Sequence, residues 1–397
     1  MIIFTFVYLF IIYILYAAAQ KTVLAPLQLV VLISLLFFAD PVFQNDVKFN
    51  DVDLVLIIIF LVPITSIFTY EILTSPASIS SRWRFTGIAW PVLAQGIVIL
   101  EFTKRLSFSD FNFNTFFINH LLPRGTSPWD LAQFAGAAHF ALIKSLLPFA
   151  ALVIFDCIIK RSGTKKIYYI SIYLLLLFFL FSTGSRAPLF FVILTSFLLF
   201  GRNKSTFVKV RSAFVVGCVL FILGSIMVTN RGAGYSEIDI TQIRESSSTF
   251  HIDNNYSLAR YAIYKANEDT KSWDSTKFIA TILFNPIPRA VWKNKPVYLE
   301  ADYGVFKKQW WTTMSFIGEF AALSSNFFIF FSMFFLIIIY CVARYFYNFS
   351  RGSAGSIIYF CICIYLHLCT RSLFSISTII YLPAFAILTS KLVKSYD

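Results

Sequence analysis

Two arginines stand where a membrane turn has no need of them. Arg186 in FSTGSRAPLFF (181–191) and Arg371 in LHLCTRSLFSIS (366–377) each sit between closely spaced apolar runs. Gly184 and Pro188 supply the permissive and the fixed φ of a tight turn, so Arg186 is surplus to the turn geometry. A basic residue at the membrane pairs with something or lines a pathway; the competing account is a snorkelling arginine on lipid phosphate. The guanidinium fork matches two phosphate oxygens together, which suits a pyrophosphate better than an ammonium does. A long polar stretch adds Arg260 and, in NPIPRAVWKNKP (285–296), Arg289, Lys293 and Lys295.

Candidates for acid–base work are fewer. Glu319 in MSFIGEFAAL (314–323) is one of seven glutamates, which makes its place beside an apolar run informative. His251 and Asp253 lie together in STFHIDNN (248–255), and His367 stands one helical turn from Arg371, on the same face. Trp273 and Trp292 offer indole faces that could cover sugar rings, whereas Trp310 and Trp311 fit an interfacial aromatic belt equally well. Together these residues could bind a lipid-linked, sugar-bearing anion and accept one proton. The long polar loop carries no phosphate-cradling glycine loop and no D-x-D, so neither a nucleotide-sugar donor nor a metal is expected, and no cofactor.

The elements that must position these groups follow from composition. Of 397 residues, 58% are hydrophobic and 13% charged, with 47 phenylalanines; soluble domains carry about a quarter charged residues. Apolar runs of about 17–20 residues recur, each long enough to cross roughly 30 Å of hydrocarbon as a helix. The spacing predicts an all-α polytopic membrane protein with eleven spanning helices, at 2–19, 23–39, 54–70, 86–100, 138–157, 167–183, 187–201, 212–229, 316–343, 355–370 and 373–390. The YAAAQ end of the first run looks like a signal-peptide cleavage site, but no positive segment precedes it, so it is taken as a span. The net charge of +13 points to no nucleic acid, because lysine and arginine concentrate in short loops, as membrane orientation requires. None of the six cysteines falls in the long loop, and Cys361 and Cys363 are expected to be small buried residues.

Basic loops at 81–84, 160–166, 201–211 and 344–351 and the carboxy-terminal tail all fall on one side, which the positive-inside rule makes cytoplasmic. The acidic loop 40–53 falls on the other. Two long loops, 101–137 and 230–315, then lie outside within a single integral membrane domain spanning 1–397, the larger between the eighth and ninth helices. The larger is too long to be a mere connector. Within it 257–269 reads as a helix, and 277–296 as an interfacial or re-entrant segment broken by Pro286 and Pro288.

With STGSRAPL after one apolar helix, NPIPRAVWKNKP late in the long loop and SFIGEF leading into the next helix, the chain resembles the Wzy-type O-antigen and oligosaccharide repeat-unit polymerases over residues 167–343. It departs from that pattern at AALSSNFF, where an aromatic-Asn-Phe-Gly turn would stand. The resemblance implies a GT-C-like, metal- and nucleotide-independent glycosyltransferase of the bacterial inner membrane. Its donor and acceptor are undecaprenyl-pyrophosphate-linked oligosaccharides, used at the periplasmic face. Its surroundings are membrane lipids and a chain-length regulator protein. On that basis Arg186, Arg260, Arg289, Arg371, Lys293 and Lys295 would bind pyrophosphate, Glu319 and His251 would be catalytic, and Trp273 and Trp292 would bind sugar. An O-antigen ligase using the same donor would want the same outward basic residues. A lipid-linked oligosaccharide flippase would also want basic residues, but within the membrane interior, and needs no long outer loop.

Overall fold

A computed structural model of the protein describes residues 1–20, 24–43, 49–74, 89–122, 127–128, 138–182, 186–201, 255–268, 275–284, 315–348, 353–373 and 376. Among these the regular structure is entirely helical: α1 (Ile2–Gln20), α2 (Pro26–Phe43), α3 (Asp51–Leu73), α4 (Ala89–Ser107), α5 (Phe113–Leu121), α6 (Ala138–Lys160), α7 (Gly163–Ser182), α8 (Arg186–Gly201), α9 (Asn255–Glu268), α10 (Ser275–Phe284), α11 (Ser315–Leu323), α12 (Phe328–Asn348) and α13 (Ser353–Arg371). The helices α3, α7 and α12 are long and apolar enough to cross a membrane, and shorter apolar stretches fill α1, α2, α8 and α13. The architecture is that of a helical membrane protein. The expected spans 212–229 and 373–390 lie outside the described residues apart from Leu373 and Ile376.

Local chemistry explains several boundaries. Asn50 opens α3 with a reciprocal capping box: its side chain accepts from the Asp53 amide, and the Asp53 carboxylate accepts from the Asn50 amide. Gly163 opens α7 with φ of 62°, a left-handed conformation that glycine adopts without steric cost. The helix α4 runs past the expected end at residue 100 to Ser107 and is followed by a tight turn. There Asp110 and Phe111 both take positive φ, and the Asn112 side chain accepts from the Asn114 and Thr115 amides to start α5.

The expected continuous helix 316–343 is corrected: it is two helices, α11 and α12, with a break at 324–327. Three polar residues in succession, Ser324, Ser325 and Asn326, compete for backbone hydrogen bonds there. The Ser324 hydroxyl accepts from the Phe327 amide and its carbonyl from the Phe328 amide, so the chain restarts a helix and does not continue one. Ring contacts give the direction of α11. Phe316 meets Phe335 at 5.4 Å and Phe60 at 6.1 Å, whereas Phe320 meets Phe331 at 5.9 Å. Thus α11 folds back antiparallel on α12, and its first residue lies roughly 10–14 Å below the start of α12, counting about 1.5 Å per residue.

Side-chain contacts sort the helix ends into two sets. At one end the close of α2, the start of α3 and α9 meet, with Phe37 and Phe38 against Tyr256 at 5.6 and 5.9 Å. At the opposite end Tyr16 of α1 donates to Glu71 of α3 at 3.2 Å, and Arg344 of α12 lies 3.3 Å from the same carboxylate. There too Tyr359 of α13 donates to the Leu24 carbonyl ahead of α2 at 2.8 Å. The alternation matches helices that cross in turn.

Candidate functional site

The opening arginines come to neighbouring positions. Arg186 is the first residue of α8 and Arg371 the last of α13. Just inside them Phe191 of α8 stacks on His367 of α13, with centroids 4.4 Å apart and planes at 30°. That stack fixes the two helix ends side by side. His367 is buried and serves as packing beneath Arg371.

Glu319 reaches the same place from α11. It is fully buried, and its two oxygens face the chain just beyond α13: the Ser372 hydroxyl donates to Oε1 at 2.9 Å and the Leu373 amide donates to Oε2 at 2.7 Å. Removing a carboxylate from water is costly unless hydrogen bonds replace the lost hydration. Here they are drawn from the turn that carries Arg371. Glu319 therefore lies in the middle of a nine-residue helix set into the bundle, not at the mouth of a long one. The chain enters that helix through Ser315, buried and at φ of 66°, where a non-glycine residue is strained.

Arg260 sits on α9, which packs along α11 and touches α2 and α3. Its Nε lies 3.3 Å from Asp53 Oδ1, which also accepts from the Tyr256 hydroxyl at 2.6 Å. Asp53 Oδ2 accepts from the Asn50 amide at 2.8 Å. Burial, and then the hydrogen bond to Asp53, raise the Tyr256 phenol well above its ordinary value, so it remains a donor. Tyr264, two turns from Tyr256, pairs with the Asn50 side chain. The long polar segment is thus moored by α9 to the capped start of α3, and one edge of the Arg260 guanidinium faces that mooring.

A third buried group comes from the first polar segment. Glu101 and Arg105, one helical turn apart on α4, pair at 2.7 Å with each side chain 1% exposed. Lys104 shares the carboxylate at 2.9 Å. Arg105 also donates to Ser182 Oγ at 2.5 Å and to the Phe179 carbonyl at 3.4 Å, both in the last turn of α7. On α5, His120 stacks on Phe178 at 4.8 Å, and its Nδ1 pairs with the Phe116 carbonyl at 2.7 Å. Burial, with Arg105 second, pushes this imidazole down to about 4.

Among the sequence candidates, then, Glu319, Arg371 and the start of α8 at Arg186 are assembled, and Arg260 stands on the neighbouring helix against Asp53. His251, Arg289, Lys293, Lys295, Trp273 and Trp292 lie outside the described residues. Asp53 and the Glu101–Arg105 pair were not singled out from sequence. The second carried a signal, opposite charges four residues apart at the end of an apolar run; the first carried none, since its partners are remote in the chain. Cys361 and Cys363 are fully buried, as expected. Among the described residues no group of three His, Cys, Asp or Glu side chains is placed to hold a metal ion. Comparison with family models, with curated proteins and with solved structures returns no match.

Proposed function

We propose that the protein is a polymerase of lipid-linked oligosaccharides. It would transfer a chain from an undecaprenyl-pyrophosphate carrier to the next lipid-linked repeat unit, at the outer face of the bacterial inner membrane. The observation that carries this is the placement of Arg186 and Arg371 at adjoining helix ends, locked by the Phe191–His367 stack. Two arginine-bearing helix ends side by side in an apolar bundle suit a pyrophosphate at headgroup depth, because each guanidinium can fork onto two phosphate oxygens. A GT-C-like arrangement of eleven spans belongs to the same proposal.

The chemistry needs little more. As the sugar–phosphate bond breaks, charge develops on the leaving pyrophosphate, and Arg186 and Arg371 neutralise it together with Arg289, Lys293 and Lys295. One of the two candidate bases, Glu319 or His251, accepts the proton of the attacking hydroxyl. Glu319 also holds the turn behind Arg371. On the same reading Trp273 and Trp292 would bind sugar.

The test is deletion in the native host followed by gel analysis of its lipopolysaccharide. A core bearing a single repeat unit supports the polymerase. Bare core identifies a ligase, and carrier-linked units retained inside identify a flippase; either overturns the proposal. In the complemented strain Arg186→Ala and Arg371→Ala should each nearly abolish long polymer, and lysine should rescue only partly because it offers no fork.

A further inference from the structure

We propose that Arg105, locked by Glu101, is a positioning residue for the anion site: it holds the end of α7, the helix that precedes and packs on the Arg186-bearing α8. This rests on the assignment of Arg186 to pyrophosphate above.

The contacts of Arg105 point in one direction. Its Nε is taken by Glu101, while Nη1 reaches Ser182 Oγ and Nη2 the Phe179 carbonyl. The guanidinium also lies 4.6 Å from the centre of the Phe179 ring. Ser182 donates in turn to the Phe179 carbonyl at 2.9 Å. The final carbonyls of a helix have no partners within it, and a cation there is favoured by the helix dipole. Arg105 thus closes the terminus of α7 from the side. Only residues 183–185 separate Ser182 from Arg186 in sequence, and α7 packs on α8, so the end of α7 is tied to the start of α8.

Stability alone is a poor reason for this pair. A buried ion pair is often matched or bettered by apolar residues of similar size, because both charges must leave water. What it supplies is one defined geometry. The design parallels that at the other arginine, where buried Glu319 grips the Ser372–Leu373 segment beside Arg371. In both places a buried charge on a different helix grips the chain within a few residues of an arginine: Arg105 at Ser182, and Glu319 at Ser372 and Leu373.

The experiment uses the purified full chain in detergent with inorganic pyrophosphate as probe, following binding by calorimetry and folding by thermal unfolding. Arg105→Lys keeps a cation but cannot reach Glu101, Ser182 and Phe179 together. Ser182→Ala removes one hydroxyl and leaves the ion pair. Both should weaken pyrophosphate binding, Arg105→Lys by about tenfold or more, the scale at which misplaced supporting groups act. The double variant should be little worse than Arg105→Lys alone, because both act through one contact. Ser196→Ala, which removes the hydroxyl that Tyr173 binds at 2.8 Å on the same helix pair, should bind normally. If Arg186→Ala loses binding while Arg105→Lys and Ser182→Ala keep it, Arg105 has no positioning role and the anion site survives. If the wild type does not bind, or Arg186→Ala binds as well as wild type, the anion site falls and this role with it.

Discussion

A buried carboxylate with both oxygens engaged can be a base or an anchor, and at Glu319 the geometry allows a clean separation. Glutamine can keep both contacts: its carbonyl accepts from the Leu373 amide and its NH₂ donates to Ser372 Oγ. Glu319→Gln therefore keeps both contacts to the Arg371 turn and removes the negative charge and with it the capacity to take a proton. A base would lose about 10²-fold or more in turnover with purified lipid-linked repeat units; near-normal turnover assigns Glu319 to holding the turn and leaves proton transfer to His251. Glu319→Ala loses both contacts and should fail in either role. Arg260 poses the matching question against Asp53. If its main task is mooring α9, then Arg260→Gln and Asp53→Asn should be coupled in thermal unfolding by about 0.5–3 kcal/mol. Independent effects on stability, with activity lost in Arg260→Gln alone, would return Arg260 to the anion site.

At the scale of helices, what was legible in sequence is what is local. The spans beginning at residues 2 and 187 and the helix at 257–269 stand within two residues of their expected starts, because apolar runs and polar interruptions are local signals. The break between α11 and α12 was harder to see, since three polar residues interrupt an otherwise continuous apolar stretch and a membrane helix tolerates that. It takes the fold-back of Phe316 onto Phe335 to make it a break. Likewise Asp53 looks like an ordinary capping residue until Tyr256 and Arg260 arrive from the far side of the chain. The helix α5 lends itself to a pH test. His120 has an unfolded value near 6.5 and a folded value of about 4, so the unfolded chain binds more protons between them. Its contribution is intact above pH 6.5 and declines as pH falls toward 4, by at most about 1.4 kcal/mol per unit. His120→Phe, which can keep the stack on Phe178, should flatten that acid limb; an unchanged limb would place the titrating group elsewhere.

For the whole molecule, the two sets of helix ends make side of the membrane a single binary choice. The Asp53, Arg105, Glu319 and Arg371 groups lie at one set of ends, and the Glu71–Arg344 pair lies at the other. Basic loops at 160–166 and 344–351 belong with the second set, and the positive-inside rule assigns it to the cytoplasm. The Asp53, Arg105, Glu319 and Arg371 groups then serve the outer face, where a lipid-linked anion presents its headgroup. Single cysteines can decide this in a background whose six native cysteines are replaced. Asn114→Cys on α5 and Ser325→Cys in the α11–α12 break are both exposed and should react with a membrane-impermeant maleimide in spheroplasts. Ser162→Cys between α6 and α7, and Ser353→Cys at the start of α13, should react only after lysis. Because α11 folds back, Ser325 must share its side with Asn114, although the expected unbroken helix would have buried it within the span. Labelling of Ser325 and Asn114 from opposite sides would contradict the fold-back itself. Labelling of both only after lysis would keep the fold and turn it over, leaving Arg186 and Arg371 at the cytoplasmic face and ending the case for a periplasmic polymerase.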